Sequence, residues 1–168
     1  WINENRLIKK YSEFIKEFKN IKKIKSLGTP FNGTLLSRLI INKSGLPNPK
    51  YFIWGDETEY TYRIKKNGFD FEVVCNAKFY HPHNPLIYTS YLSFEIKDWW
   101  KLYYYYRNLK SILILKYGLF NGCFRYLKTI RGVLFQLVFD KNQNKIIKIK
   151  IILLSFIDSL ANNFVKRF

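Results

Sequence analysis

The sequence predicts an α/β part over residues 1–90, followed by a basic, amphipathic helical part over residues 91–168. Phe69–Val74 alternates apolar and polar side chains, the pattern of a half-buried strand. Hydrophobic residues make up 48% of the 168, which is enough for a packed core and excludes an intrinsically disordered chain. In the second part the apolar residues recur at helical spacing, over about 95–116, 119–138 and 144–166.

The elements of the α/β part follow from local patterns. Residues 1–25 carry apolar side chains on one helical face and lysines on the other, so we predict a helix there. A short strand or helix is predicted to end near Ser44-Gly45, and two prolines make 46–49 a loop. Asp56 is predicted to cap a helix that stops at Asn67-Gly68.

The charge of the chain is strongly positive, with 29 Lys and Arg against 12 Asp and Glu. This balance predicts a polyanionic neighbour: nucleic acid, an anionic membrane or a phosphorylated small molecule. Cys75 and Cys123 stand alone, which is typical of a reducing, cytosolic setting rather than a disulfide or zinc framework. Because the chain begins at Trp1 and contains no methionine, we expect it to be part of a longer protein.

Asp56, Glu57 and Glu59 place a quarter of all acidic residues within four positions. Such a cluster in a basic chain suits a metal ligand set, a proton acceptor or a binder of sugar hydroxyls. The spacing of Asp56 and Glu59 also fits a capping box, since carboxylates are favoured at the positive end of a helix. The two interpretations are compatible, because a helix N-terminus is a common place for a catalytic carboxylate.

Two further residues near this cluster have alternative interpretations. His81 follows after a helix and a strand, a path that returns it to the end of the fold where Asp56 lies; it is either a ligand for Mn²⁺ or Mg²⁺ or an ordinary loop histidine. Trp54 is either a ring that stacks on a sugar or part of a buried strand in which it shares one side with Phe52.

The run from Trp99 to Asn108 is dense in Trp and Tyr and opens the basic helices. Basic amphipathic helices with such aromatic belts suit an anionic membrane interface. An ordinary helical subdomain with a solvated charged face is the alternative. Interleaved aromatics and cations also occur in single-strand nucleic-acid binders, but no known nucleic-acid module matches here.

Taken in order, several segments resemble the C-terminal half of family 2 glycosyltransferases with the GT-A fold, in the galactofuranosyl- and rhamnosyltransferase-like branch. The resemblance covers about residues 28–110, and as an ordered set it is specific. The segments that carry it are Phe31-Asn32-Gly33-Thr34, Gly45-Leu46-Pro47, the run Tyr51–Arg63, Gly68-Phe69, His81-Pro82 and the Tyr-Tyr-Tyr-Arg-Asn sequence ending at Asn108.

The resemblance implies an inverting enzyme that transfers a sugar from a nucleotide-diphosphate donor to a hydroxyl of a cell-surface glycan or lipid-linked acceptor. It assigns the general base to the second acid of the pair, Glu57, although relatives more often carry Asp there, so that Asp56 stays an alternative. It makes His81 a ligand of a divalent metal, Mn²⁺ or Mg²⁺, that neutralises the leaving diphosphate. The residues it implies in acceptor binding are Trp54, Glu59, Tyr60, Asn32 and Gly33.

One departure from the family is large. The Asp-x-Asp motif of the family's nucleotide-binding half is absent from this chain. We therefore expect the chain to be the acceptor-side part of such an enzyme, with most metal ligands elsewhere, and to be inactive alone. Its basic helices would lie on the cytoplasmic face of the cell membrane. The rival hypothesis is a non-enzymatic basic membrane- or RNA-binding protein whose acidic cluster is only a helix cap.

Overall fold

The described part of the chain is mostly helical. A computed structural model gives it a two-stranded sheet, five complete α-helices and a short 3-10 helix at Pro49–Tyr51. The predicted α/β class therefore holds only in the coarse sense that a small sheet accompanies the helices. Among the described helices, none is long and apolar enough to cross a membrane. The structure describes residues 16, 18–26, 31, 33–77, 80, 98–140 and 144–167.

The sheet pairs β1 (Lys23–Ser26) with β2 (Phe71–Val74) in antiparallel register, with Ile24 opposite Val73. The strand predicted at Phe69–Val74 is thus confirmed from Phe71 onward. The helix predicted over 1–25 is wrong at its end, because 23–26 is a strand. Ile24 and Val73 pack against Phe18, so a partner distant in sequence decides the conformation of this lysine-rich segment.

Two helices complete this part of the chain. In α1 (Arg38–Ser44), the Ser37 hydroxyl accepts a hydrogen bond from the Ile40 amide at 3.3 Å, which fixes the N-terminus. In α2 (Asp56–Lys66), Asp56 is the first helical residue rather than the cap, so the helix begins one residue earlier than predicted. The first helical hydrogen bond runs from the Glu59 N–H to the Gly55 carbonyl.

Three long helices follow: α3 (Trp99–Tyr117), α4 (Leu119–Val138) and α5 (Lys145–Leu160). Their existence confirms the sequence prediction, although α5 ends six residues early. A Cβ at Gly122 would lie 2.5 Å from the Ile114 backbone, so α4 approaches α3 as closely as it does because Gly122 has no side chain. The core residues they share are Trp99, Leu102, Tyr106, Tyr126, Ile130, Leu137 and Ile152.

The run of aromatic residues at the start of α3 forms the interior of this helical part. Trp99, Tyr103, Tyr104 and Tyr106 are all buried. The interpretation of this run as an exposed aromatic belt at a membrane surface is therefore wrong. These residues are buried because α3 packs against both α4 and α5, which leaves little of its surface to solvent.

The described residues group into two compact units. One contains the described parts of Trp1–Pro47 and Tyr60–Asn84. The other contains those of Asn48–Glu59 and Pro85–Phe168, so the acidic cluster groups with the long helices. The boundary falls within α2, between Glu59 and Tyr60.

The segment after α5 is fastened by a buried carboxylate. Asp158 accepts hydrogen bonds from the Tyr103 hydroxyl at 2.6 Å, from the Asn163 amide at 3.0 Å and from the Arg167 guanidinium at 2.5 and 2.8 Å. These bonds, first those from Arg167, lower the pKa of Asp158 despite its burial. Burial, followed by the bond to Asp158, raises the pKa of Tyr103 to about 12.

We predict that Asp158→Asn lowers the free energy of unfolding at pH 7 by about 2 kcal/mol, because charge-assisted hydrogen bonds are lost. The folded pKa of Asp158 is depressed, so wild type holds this contribution above about pH 4 and loses it as pH falls further. Urea unfolding at several pH values measures both effects. Asp70→Asn, at an exposed position, is the control. An equal loss in the two variants at pH 7 would contradict the prediction.

Candidate functional site

The acidic cluster is presented by a turn of unusual backbone conformation. From Tyr51 to Gly55 the chain has three positive φ angles: 59° at Phe52, 64° at Trp54 and 98° at Gly55. For residues with a side chain this region costs on the order of 1–2 kcal/mol each, and it persists only where the surroundings enforce it. The strand that would have placed Phe52 and Trp54 on one side is therefore not present.

Asn108 on α3 is the main restraint on this turn. Its side-chain amide donates to the carbonyls of Tyr51 at 2.9 Å, Ile53 at 3.0 Å and Trp54 at 2.7 Å. The side chain is 1% exposed, so water does not compete for these bonds. This one side chain therefore donates to three carbonyls of the turn, of which that of Tyr51 also accepts a hydrogen bond from the Ile53 N–H at 2.7 Å.

Arg107 extends the restraint to both sides of the turn. Its guanidinium donates to the carbonyls of Lys50 at 2.9 Å and Tyr51 at 3.2 Å, and to that of Val165 at 3.1 Å. Its Nε also donates to the Asn108 Oδ1 at 3.0 Å, which leaves the amide nitrogen of Asn108 facing the turn. Arg107 and Asn108 together form what we call the carbonyl clamp.

Aromatic rings complete the surroundings of the clamp. The Arg107 guanidinium lies 4.7 Å from the ring centre of Tyr104 and 5.3 Å from that of Phe164. A planar, weakly hydrated guanidinium tolerates such burial better than a lysine ammonium, because it stacks on rings while it donates in several directions. This explains why a cation that is 1% exposed is stable here.

Gly55 forms the close contact between the turn and α3. A Cβ at this position would lie 3.2 Å from the Ile112 side chain, and φ is 98°. The positive φ favours glycine, and a side chain at this position would force Ile112 to shift. The chain then enters α2, whose first turn carries Asp56, Glu57 and Glu59 at the positive end of the helix dipole.

Glu57 is half-buried, and its surroundings change its pKa. Burial raises its pKa above the ordinary value, and the neighbouring charge of Asp56 raises it further, while a hydrogen bond from its own backbone N–H opposes them. A carboxylate with a raised pKa is a stronger base once ionised. The geometry can therefore support proton abstraction by Glu57.

Trp54 and Glu59 lie beside this carboxylate in sequence and belong to the same compact unit. The Trp54 indole is half-buried and packs edge-on against Tyr105, with ring centres 6.3 Å apart. This contact belongs to the packing around the core of the long helices. Sugar stacking and core packing both remain compatible with a half-buried ring.

Tyr60 and Gly33, two further predicted site residues, group with the other compact unit. Tyr60 is 1% exposed and its hydroxyl donates to the Gly45 carbonyl at 2.7 Å, so it supports the turn after α1. Gly33 lies in a turn with φ of 72°. His81 and Asn32 lie outside the described residues, and their predicted roles stay predictions.

The metal expectation also stays a prediction. Among the described residues, no group of three or more His, Cys, Asp or Glu side chains is arranged to hold a metal ion. Asp56, Glu57 and Glu59 by themselves do not form such a set. We therefore assign no chemical step to a metal held by this part of the chain.

Sequence reasoning missed the carbonyl clamp. Arg107 and Asn108 were noted only as part of a run that resembles the family, and no role was predicted for either. A usable signal was present, because an Arg-Asn pair directly after four tyrosines interrupts the apolar face of a helix. A buried polar pair in such a position needs backbone partners. Which carbonyls it bonds was not readable from the sequence.

Comparison with protein-family models, with curated proteins and with solved structures gives no match for this chain. The family resemblance therefore depends on the ordered residues quoted above.

We predict that Asn108→Ala lowers the free energy of unfolding by about 2–4 kcal/mol, because the Ile53 and Trp54 carbonyls lose their side-chain donor, the Tyr51 carbonyl loses one of its donors, and the positive-φ turn loses its restraint. Urea unfolding followed by tryptophan fluorescence measures the change. The matched control is Asn121→Ala at an exposed position of α4, where we expect a change within about 0.5 kcal/mol. Similar values for the two variants would rule out the clamp.

We predict that Glu57→Gln stabilises the fold at pH 7. The pKa of Glu57 is raised in the folded protein. Above that pKa, ionised Glu57 therefore makes the folded state less stable relative to the unfolded state. The advantage of the variant disappears as the pH falls below the ordinary pKa of glutamate, because Glu57 is then protonated whether folded or unfolded. Thermal melts between pH 4 and pH 8 test this, with Glu59→Gln as a control in the same helical turn. A variant less stable than wild type at pH 7 would refute the assignment.

Proposed function

We propose that this chain is the acceptor-side part of an inverting glycosyltransferase of the family 2, GT-A type, with Glu57 as its general base. The observation that carries the proposal is the half-buried Glu57, with a raised pKa, at the first turn of a helix whose entry is held by the carbonyl clamp. The ordered resemblance of residues 28–110 supplies the reaction type.

The chemistry requires one proton acceptor. The acceptor hydroxyl attacks the anomeric carbon of the donor sugar, a new C–O bond forms, and the bond to the nucleoside diphosphate breaks with its electrons going to the diphosphate. The hydroxyl proton passes to the Glu57 carboxylate. The configuration at the anomeric carbon is inverted because attack and departure are on opposite sides. General base catalysis of this kind contributes about 10²–10⁴-fold.

A rigid turn serves this reaction because the base must meet the hydroxyl at hydrogen-bond distance. Three positive φ angles, and four hydrogen bonds from the clamp to the carbonyls of Tyr51, Ile53 and Trp54, restrict the motion of residues 51–55. The position of Glu57 relative to α3 is thereby defined. Asp56 contributes by raising the pKa of Glu57 through its negative charge, which supports Glu57 over Asp56 as the base.

The partners follow from the same proposal. The donor is a nucleotide-diphosphate sugar, and the acceptor is a hydroxyl of a glycan or lipid-linked glycan. A divalent cation, Mn²⁺ or Mg²⁺, would stabilise the leaving diphosphate, with His81 as the one ligand that the resemblance assigns within this chain. Trp54, Glu59, Tyr60, Asn32 and Gly33 are the residues proposed near the acceptor.

A second candidate function is a non-enzymatic basic protein that binds membranes or RNA. The observation in its favour is that all three clustered carboxylates lie in the first turn of α2, where the helix dipole alone stabilises them. Under this alternative, Glu57 has no partner in a reaction and its replacement affects no transfer.

We predict that Glu57→Gln reduces sugar transfer by at least about 100-fold in the protein expressed from its complete gene. The assay measures nucleoside-diphosphate release from a panel of nucleotide sugars, with Mn²⁺ and a membrane extract as the source of acceptor. The kcat/KM of wild type should rise with pH through the raised pKa of Glu57. Asp70→Asn at an exposed position is the control, with the same loss of charge and an expected change below about 10-fold. A Glu57→Gln variant that stays folded and transfers sugar at the wild-type rate would refute the proposal.

A further inference from the structure

The outer surface of α4 carries exposed apolar side chains that do not pack into the core of the long helices. Phe120, Phe124 and Phe135 are 88%, 68% and 65% exposed, and Leu127 and Val138 are also exposed. At 3.6 residues per turn these five fall within about 80° of the helix circumference. The buried residues of α4, by contrast, face α3 and α5. We call the exposed set the α4 stripe.

Basic side chains lie within and beside the α4 stripe, and α4 contains no acidic residue. Arg131 lies within the same sector, Lys128 at its edge, and both are exposed. Arg125, on the flank, stacks its guanidinium on Tyr117 at 4.2 Å from the ring centre. Between Leu119 and Val138 there is no Asp or Glu. The helix is therefore apolar and cationic on one surface.

The next helix repeats this arrangement. On α5, Ile146, Leu153, Ile157 and Leu160 are exposed at helical spacing, and Lys150 lies among them. The acid of this helix, Asp158, is 2% exposed and is bound by Arg167, so it contributes no negative charge to the outer surface.

We propose that the α4 stripe, together with its α5 counterpart, docks on an anionic lipid surface. A helix that lies in the membrane plane inserts aromatic and aliphatic side chains at the boundary of headgroups and acyl chains, while Lys and Arg reach lipid phosphates. The outer faces of α4 and α5 carry both the apolar and the cationic side chains. The described residues of these two faces expose no Asp or Glu, which suits negatively charged headgroups. A second copy is a poorer occupant, because it would oppose two cationic faces on chains of net charge +17.

This proposal is independent of the reaction assigned to Glu57, because no residue of the α4 stripe belongs to the acidic turn or its clamp. Docking would persist in a Glu57→Gln variant, and loss of docking would leave proton abstraction untouched. The membrane surface is assigned here to α4 and α5, not to the aromatic run of α3, which is buried.

Co-sedimentation with phosphatidylcholine vesicles, with and without one-third phosphatidylglycerol, tests the proposal. We expect binding to the anionic vesicles only, weakened by added salt. Phe124→Ser/Phe135→Ser should weaken it at least about 10-fold through loss of inserted apolar area. Lys128→Gln/Arg131→Gln should weaken it about 30-fold. Equal binding to both vesicle types would overturn the proposal.

Matched controls separate the surface from total charge and hydrophobicity. Lys22→Gln/Lys66→Gln removes the same charge from exposed positions elsewhere, and Leu35→Ser/Leu46→Ser removes exposed apolar groups elsewhere. Both should change binding less than about 2-fold. Stripe variants that bind no worse than these controls would overturn the proposal. The proposal would also be overturned if the Lys128→Gln/Arg131→Gln variant bound vesicles more weakly while the Phe124→Ser/Phe135→Ser variant did not. That result would indicate a purely electrostatic surface for polyanions such as RNA.

Two further measurements test insertion and self-association. Phe124→Trp keeps the apolar surface, and its fluorescence should shift to the blue on anionic vesicles; an unshifted spectrum contradicts insertion. Sedimentation equilibrium should give a monomer whose mass the Phe124→Ser/Phe135→Ser variant does not change. A dimer that this variant dissociates would assign the stripe to a second copy and refute lipid docking.

Discussion

Hydrogen bonds from Arg107 and Asn108 to backbone carbonyls hold the turn at Tyr51–Gly55, and the rest of the candidate site depends on them. The turn has φ angles that residues with a side chain avoid. Without these hydrogen bonds, a different backbone conformation before α2 would therefore have the lower free energy. The same guanidinium also reaches Val165, which ties the segment after α5 to α3. A single buried polar pair thus connects three separate stretches of the chain.

The long helices divide their aromatic and apolar residues between two roles. On α3 they are turned inward, where Trp99 and Tyr106 pack with Tyr126 and Ile152. On α4 and α5 a second set is turned outward and interspersed with cations. This division reconciles a high aromatic content with a chain that has no described membrane-spanning helix. It leaves the acidic turn and the outward stripes as separate surfaces with separate chemistry.

Local signals were sufficient for much of the architecture. Periodicity located α3, α4 and α5, and the Asn67-Gly68 stop located the end of α2. Lys23–Ser26 was misassigned because a four-residue strand has little signal of its own and depends on pairing with Phe71–Val74. Composition likewise could not distinguish a buried aromatic run from an exposed belt, since both contain the same residues.

The sequence by itself determined the helices of the C-terminal part, the acidic cluster at a helix N-terminus and the excess of positive charge, because each is a property of neighbouring residues. Only the tertiary structure decided that Arg107 and Asn108 hold the turn at Tyr51–Gly55, that Glu57 is the carboxylate with a raised pKa, and that the outer faces of α4 and α5 are left exposed. The reason is physical: burial and carbonyl partners arise from segments more than fifty residues apart, and no local pattern encodes which of them meet.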